Sequence, residues 1–292
     1  MPYARVVILT VLALFAFAGN SLLCRAALAH TQIDAASFTT VRLLSGAVIL
    51  WVLVLLRGGV RSGRGNWLSA LALFAYAAGF SFSYVHLTAA AGALILFGSV
   101  QTTMIGYGLW SGERMRPRQI AGLMLACGGL IGLLLPGLSA PPLIGALLML
   151  AAGIAWGIYS LRGKSAGDPL KVTAGNFMRA MPMAVVLSVL LLGNASLDPV
   201  GVGYAFLSGT LASGVGYAIW YTALPFLKST TAASVQLSVP IIAALGGVFF
   251  LGESLTQRLL AASVAIIGGI ALVVLVGKPR ETPNHSLQGR RP

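Results

Sequence analysis

The chain has 292 residues, 58% hydrophobic and 9% charged, with a mean hydropathy of +0.91 and a formal net charge of +13. So little charge excludes a soluble domain, whose surface needs far more of it. The basic excess does not mark a nucleic-acid binder, because the Lys and Arg residues fall in short turns between long apolar runs. What remains is an all-α polytopic membrane protein, in which roughly 20 apolar residues cross the hydrocarbon as a helix.

Charged, Pro-rich or Gly-rich breaks divide the chain into ten apolar segments, each predicted to be a transmembrane helix. The first five run over Arg5–Ala27, Ala35–Leu56, Trp67–Thr88, Ala91–Trp110 and Pro117–Leu135. After the break PGLSAPP come Leu143–Leu161, Val172–Gly193, Pro199–Ala223, Thr230–Leu251 and Thr256–Val276. The first apolar run is longer than the core of a signal peptide, so it reads as a mature helix. Residues 277–292 are polar and basic, and are expected to form a disordered cytoplasmic tail.

Lys and Arg orient the bundle. With the N-terminus in the cytoplasm, that side collects Arg5, the clusters at residues 57–64, 114–118 and 162–171, Lys228 and the tail, fifteen basic residues in all. The opposite side holds only Arg25 and Arg258, and both termini are therefore expected inside.

The chain also resembles itself. An offset of 140 residues brings Gly112-Glu113 onto Gly252-Glu253 and Gly128-Gly129 onto Gly268-Gly269. An offset of 137 brings Arg25 onto Arg162 and Arg42 onto Arg179. Five helices followed by five related ones, an odd number, imply that the second copy enters the membrane from the other side. The expected domains are a first repeat over 1–138 and an inverted second repeat over 139–276. Such repeats characterise secondary transporters, whose substrate site lies near the midplane between the halves.

On these features the chain resembles the drug/metabolite transporter superfamily, EamA type. The stretches that carry the resemblance are FAGNSLLCRAAL in the first segment, TTVRLLSGAVIL in the second and YVHLTAAAGALI at the third–fourth junction. The two Gly-Glu steps, Pro240 and the paired glycines of the fifth and tenth segments add to it. One departure is that Pro240 is matched by Val100 in the first half. The resemblance implies a ten-helix exporter of amino acids or similar small metabolites. It implies a multi-pass location in the inner (plasma) membrane and an architecture more than a substrate.

Candidate residues follow from depth and chemistry. Asn20, Tyr76, Gln101, Trp156, Tyr159, Tyr217 and Gln236 are polar or aromatic residues near mid-segment, the composition expected of a substrate cavity. They are not mirrored between the halves, so they are candidates for an asymmetric site. Arg42 and Arg179 are the only charges well inside segments. They are expected either to snorkel to headgroups or to act as gate charges, Arg42 with Glu253 on the outer side and Arg179 with Glu113 on the inner. The two glutamates are also expected as structural anchors at the start of the helix that follows each of them. Pro182, Pro225 and Pro240 are expected to kink their helices.

No Asp or Glu lies in the middle of a segment, which disfavours a cationic multidrug antiporter. No catalytic constellation, metal cluster or phosphate loop is present in the sequence, so no cofactor is expected. The expected partners are a small-molecule substrate and the lipid bilayer, with a monomeric carrier and no nucleic acid. The function expected is export of amino acids, aromatic or hydrophobic ones first, by alternating access. Two alternatives stand beside it: a transporter of anionic metabolites such as phosphorylated or nucleotide sugars, and a membrane enzyme or scaffold.

Overall fold

A computed structural model describes residues 2–58, 65–112, 115–135, 137, 140–163, 168–227 and 235–276. The described residues form ten main helices, two short 3₁₀ turns at Leu192–Asn194 and Leu224–Phe226, and no strand. The first five are α1 (Tyr3–His30), α2 (Ala35–Leu56), α3 (Trp67–Tyr84), α4 (Ala89–Trp110) and α5 (Pro117–Leu134). The last five are α6 (Leu143–Gly163), α7 (Pro169–Leu190), α8 (Pro199–Ala223), α9 (Ser238–Leu251) and α10 (Gln257–Val276). Nine have the length and apolarity to cross a bilayer, and α9 is a shorter apolar helix. Large apolar side chains stand exposed around the bundle, among them Phe250 at 80% and Leu190 at 76%. Such a surface is stable only against lipid, so the chain is a multi-pass membrane protein.

Short polar residues set the helix starts. Asp34, Asn66, Thr88, Asp168 and Asp198 each accept hydrogen bonds from first-turn amides of the helix they precede. The acids in the turns are thus mostly caps. Thr88 shows why the third helix stops short of its expected end: its hydroxyl accepts from Ala91 N at 3.2 Å and opens α4. Similarly Asp168 starts α7 at Pro169, three residues earlier than expected.

The main helix pairings keep their pattern when the first five helices are exchanged for the last five. Helices α5 and α10, α2 and α7, and α4 and α9 pack on one another. The contact of α3 with α6 has its counterpart in α8 with α1, and α4 with α6 in α9 with α1. Close approach requires small residues. A Cβ on Gly122 of α5 would come within 2.6 Å of the Gly269 carbonyl of α10, and one on Gly269 within 2.5 Å of the Gly122 carbonyl.

Two expectations about the helices change. Pro182 lies inside α7, as expected; the ninth segment, expected to run as one helix, is helical at Val235–Gln236, turns at Leu237 and resumes as α9 with Pro240 in its first turn. A proline there lacks only an amide that the first turn leaves unpaired in any case. The second change is in α8, expected to be a uniform helix. Its middle, Ser208–Val215, winds as a wider π-helix.

Candidate functional site

In the heart of the bundle a cleft is lined by Phe17, Asn20 and Ser21 of α1, Tyr76 and Phe80 of α3, Leu96 and Phe97 of α4, and Trp156 of α6. Ala212 and Tyr217 of α8 and Gln236, just before α9, complete it. Five of the seven candidate residues therefore meet in one place: Asn20, Tyr76, Trp156, Tyr217 and Gln236. Trp156 organises the aromatic wall. Its ring lies 4.7 Å from Tyr76, 5.1 Å from Tyr217 and, stacked, 5.3 Å from Tyr159. In this conformation the rings stand close together, and the free space between them suits about a water or two.

Behind the aromatic wall runs a polar chain. Ser208 Oγ donates to Asn20 Oδ1 at 2.7 Å, and Asn20 Nδ2 donates to Tyr76 Oη at 3.2 Å. Arg42 Nη2 donates to the same Tyr76 oxygen at 3.0 Å, and Arg42 Nε donates to Ser213 Oγ at 3.3 Å. The guanidinium also lies 4.8 Å from the centre of the Phe80 ring and 5.2 Å from that of Tyr76, close enough for cation–π attraction. Arg42 is 2% exposed, so it does not snorkel. Its charge is held inside the bundle by hydroxyls and rings rather than by headgroups.

The expected pairing of Arg42 with Glu253 is also replaced. Glu253 Oε1 accepts from Arg25 Nε at 2.9 Å, and its Oε2 accepts from the Ala89 amide at 2.8 Å. Arg25 Nη1 in turn donates to the Tyr84 carbonyl at 2.9 Å. The glutamate anchors the N-terminus of α4, not that of α10, whose first turn is capped by Thr256. The reason is the chain reversal at Gly252. Its φ of +64° folds the backbone back over the end of α9 and turns Glu253 toward α4.

The remaining candidates lie elsewhere. Tyr159 lines a second, smaller cleft at the opposite end of the bundle from Glu253, with Ser69, Arg162, Asn176 and Tyr221. There Arg162 donates to Ser69 Oγ at 3.1 Å and to Asn66 Oδ1 at 3.2 Å, and Asn176 Oδ1 accepts from the Asn66 amide at 2.9 Å. Gln101 is buried in α4 and lines neither cleft. Arg179 is half-buried and donates to the carbonyl of Gly175 in its own helix at 2.9 Å. Glu113 lies outside the described residues, and with it the pairing expected for Arg179. Ser208, Ser213, Phe17 and Phe80 belong to the site without having stood out in the sequence. A serine is a weak polarity signal in a membrane helix, and a phenylalanine is none.

The comparisons with known proteins bear on the whole bundle. An uncharacterized protein of Pseudomonas aeruginosa is 57% identical over 275 residues, covering 94% of this chain and 96% of that one. The threonine/homoserine exporter RhtA of Escherichia coli K12 is 36% identical over 161 residues, about half of each chain (52% and 53%). A solved crystal structure, 17% identical, superposes with a TM-score of 0.67 over 94% of this chain and 99% of its own, a likeness of fold. The EamA-like transporter family matches residues 4–135 and again residues 143–275. On the fold, the duplicated match and the central cleft together, this chain belongs to the EamA-like transporter family.

Proposed function

We propose that this chain exports small neutral amino acids across the inner (plasma) membrane by alternating access, with the aromatic cleft as the substrate site. The observation that carries the reading is the cleft itself. It sits where the two family-matched halves meet, takes residues from both, and joins an apolar aromatic lining to a few fixed polar groups. In this reading residues 1–138 and 139–276 are inverted repeats rocking about the cleft. The exchange symmetry of the helix contacts and the sequence offsets of 137 and 140 residues support it. Both termini then lie in the cytoplasm, in line with fifteen basic residues on that side. The two opposite arginines are committed to protein partners, Arg25 to Glu253 and Arg258 to the carbonyls of Gly132 and Leu135.

Relatives support the substrate class by their names: the threonine/homoserine exporters, and a probable amino-acid metabolite efflux pump of Salmonella typhimurium 26% identical over 189 residues. The rings of Trp156, Tyr76 and Tyr217 fill one another's space, which favours a small side chain over the aromatic one first expected. A phosphorylated or nucleotide sugar would need several cations at the cleft. Among the described residues no Lys or Arg lines it, and Arg42 lies one layer behind, bonded to Tyr76.

The test is counterflow of radiolabelled threonine, homoserine and phenylalanine in proteoliposomes, with and without a pH gradient. Threonine or homoserine is expected to exchange, with phenylalanine slower. Because no acid lies within the ten helices, exchange is expected without the gradient. Absence of exchange with every amino acid would sink the reading.

A further inference from the structure

Behind the wall of the cleft lies a positive charge that the described residues leave unanswered. Arg42 is fully buried, and while Nε and Nη2 have partners, Nη1 has no hydrogen-bond partner among the described residues. No Asp or Glu lies within the ten helices to neutralise it. The acid at the bundle end, Glu253, has both oxygens committed to Arg25 and to the Ala89 amide. A buried guanidinium without a counter-ion is unfavourable, and inside a membrane such a charge marks a place where an anion is met during the working cycle.

A second observation points the same way and reaches the cleft directly. Tyr76, which lines it, accepts from both Arg42 Nη2 and Asn20 Nδ2. Asn20 is turned this way by Ser208, which donates to its Oδ1. Two accepted bonds occupy the phenol's acceptor capacity and leave its own O–H as a donor with no acceptor among the described residues. A cation bonded to the oxygen polarises that O–H and strengthens it as a donor.

We propose that Tyr76 and Arg42 form a carboxylate subsite: the substrate's carboxylate accepts the Tyr76 O–H and supplies the anion that Arg42 lacks, contacting Nη1 as the aromatic wall parts. The ammonium group of an amino acid then faces the rings of Trp156 and Tyr217, where cation–π attraction replaces an acidic partner. The subsite rests on the reading of the chain as an amino-acid exporter, and it makes the carboxylate, rather than the amine, the group that is selected.

Tryptophan fluorescence of the purified full chain tests it, since Trp156 touches Tyr76, and W156F identifies its signal. The probes are L-threonine, lactate (a carboxylate without an amine) and L-threoninol (an amine without a carboxylate). Threonine and lactate are expected to bind roughly ten- to hundredfold more tightly than threoninol, the range of one charge-assisted hydrogen bond. The variants R42Q and Y76F are expected to lose that preference, whatever their absolute affinities, and R42K to keep part of it. The wild-type comparison stands even where a variant fails to fold. Equal binding of threonine and threoninol, an unaltered preference in R42Q, or no binding of either carboxylate would overturn the subsite, even with threonine transport intact. Binding of lactate that depends on Arg42, with no amino acid transported, would uphold the subsite and remove the exporter reading.

Discussion

Arg42 and Arg179 are brought together by the 137-residue offset, yet they live in different surroundings. Arg42 meets Tyr76, Phe80 and Ser213. The 140-residue offset places Gly216, Trp220 and Leu73 against those three positions, so the hydroxyls that hold Arg42 have no equivalents. Arg179 turns back to the carbonyl of Gly175 instead. Arginines at matched positions thus differ through their neighbours, one a buried cation and the other a half-buried group bonded to its own helix. Asp34, in the loop between α1 and α2, shows the same local logic. Partial burial pushes its pKa up, but hydrogen bonds from Ser37, Ser196 and Ala36 outweigh that and hold it below the usual 3.8. A depressed carboxylate stabilises the fold above its unfolded pKa and loses that contribution as pH falls through the folded value. Asp34→Ala is therefore expected to lower stability by about 1 kcal/mol, the worth of a helix cap, at neutral pH. It is also expected to flatten the fall in melting temperature below about pH 4. An unchanged acid limb in the variant would assign that fall to other groups.

At the scale of elements, the π-wound middle of α8 explains how two serines reach one network. Residues five apart on an α-helix point about 140° away from each other around the axis. Hydrogen bonding from i to i+5 brings them near the same face. Ser208 and Ser213 accordingly hold Asn20 and Arg42, side by side in the core. Gly209 lets this turn lie against α2, where a Cβ would strike the carbonyl of Arg42 and the hydroxyl of Ser45. Gly209→Val is expected to cost roughly 1–3 kcal/mol of stability by overpacking, read as a drop in melting temperature in detergent, and to weaken threonine binding with it. A variant as stable as the parent would show that α8 shifts freely. Hydrophobic periodicity does not register this feature. The stretch SGTLASG reads as ordinary small-residue helix, and only the hydrogen-bond register distinguishes the winding. Helix count and depth were legible because apolar run length and cap residues are local properties. Partnership was not, because it is a property of the packed bundle. Which arginine met the glutamate depended on helix rotation and on the reversal at Gly252.

For the whole molecule, the ties at each end of the bundle cross between the two sequence halves. At the end that carries Glu253, that residue joins Arg25 and the Ala89 amide, Asp34 joins Ser196, and Thr40 joins Ser188 at 2.7 Å. At the other end Arg162 and Asn176 reach across to Asn66 and Ser69. In a rocking mechanism each set must break in turn, so their relative strength sets which side the cleft opens to. The Glu253 set contains a nearly buried ion pair, with side chains 18% and 8% exposed, while the Arg162 set rests on hydroxyl and amide partners. Removing one charge of a buried pair is strongly unfavourable, so Glu253→Gln is expected to loosen its end first. The measurement is labelling of an Ala212→Cys probe in the cleft, with Cys24 and Cys127 replaced, by a membrane-impermeant thiol reagent added from outside. A loss of about 1–3 kcal/mol on the closed side shifts a two-state equilibrium roughly five- to a hundredfold. Labelling is expected to rise within that range in E253Q and to fall in R162Q, which loosens the opposite end. Exchanging the charges, as R25E with E253R, is expected to restore part of the transport that each single change abolishes, the Ala89 amide and the Tyr84 carbonyl being left without their partners. If the exchange fails to restore it and labelling is the same in all three backgrounds, the ion pair is a fixed strut, and the two ends are not in balance through it.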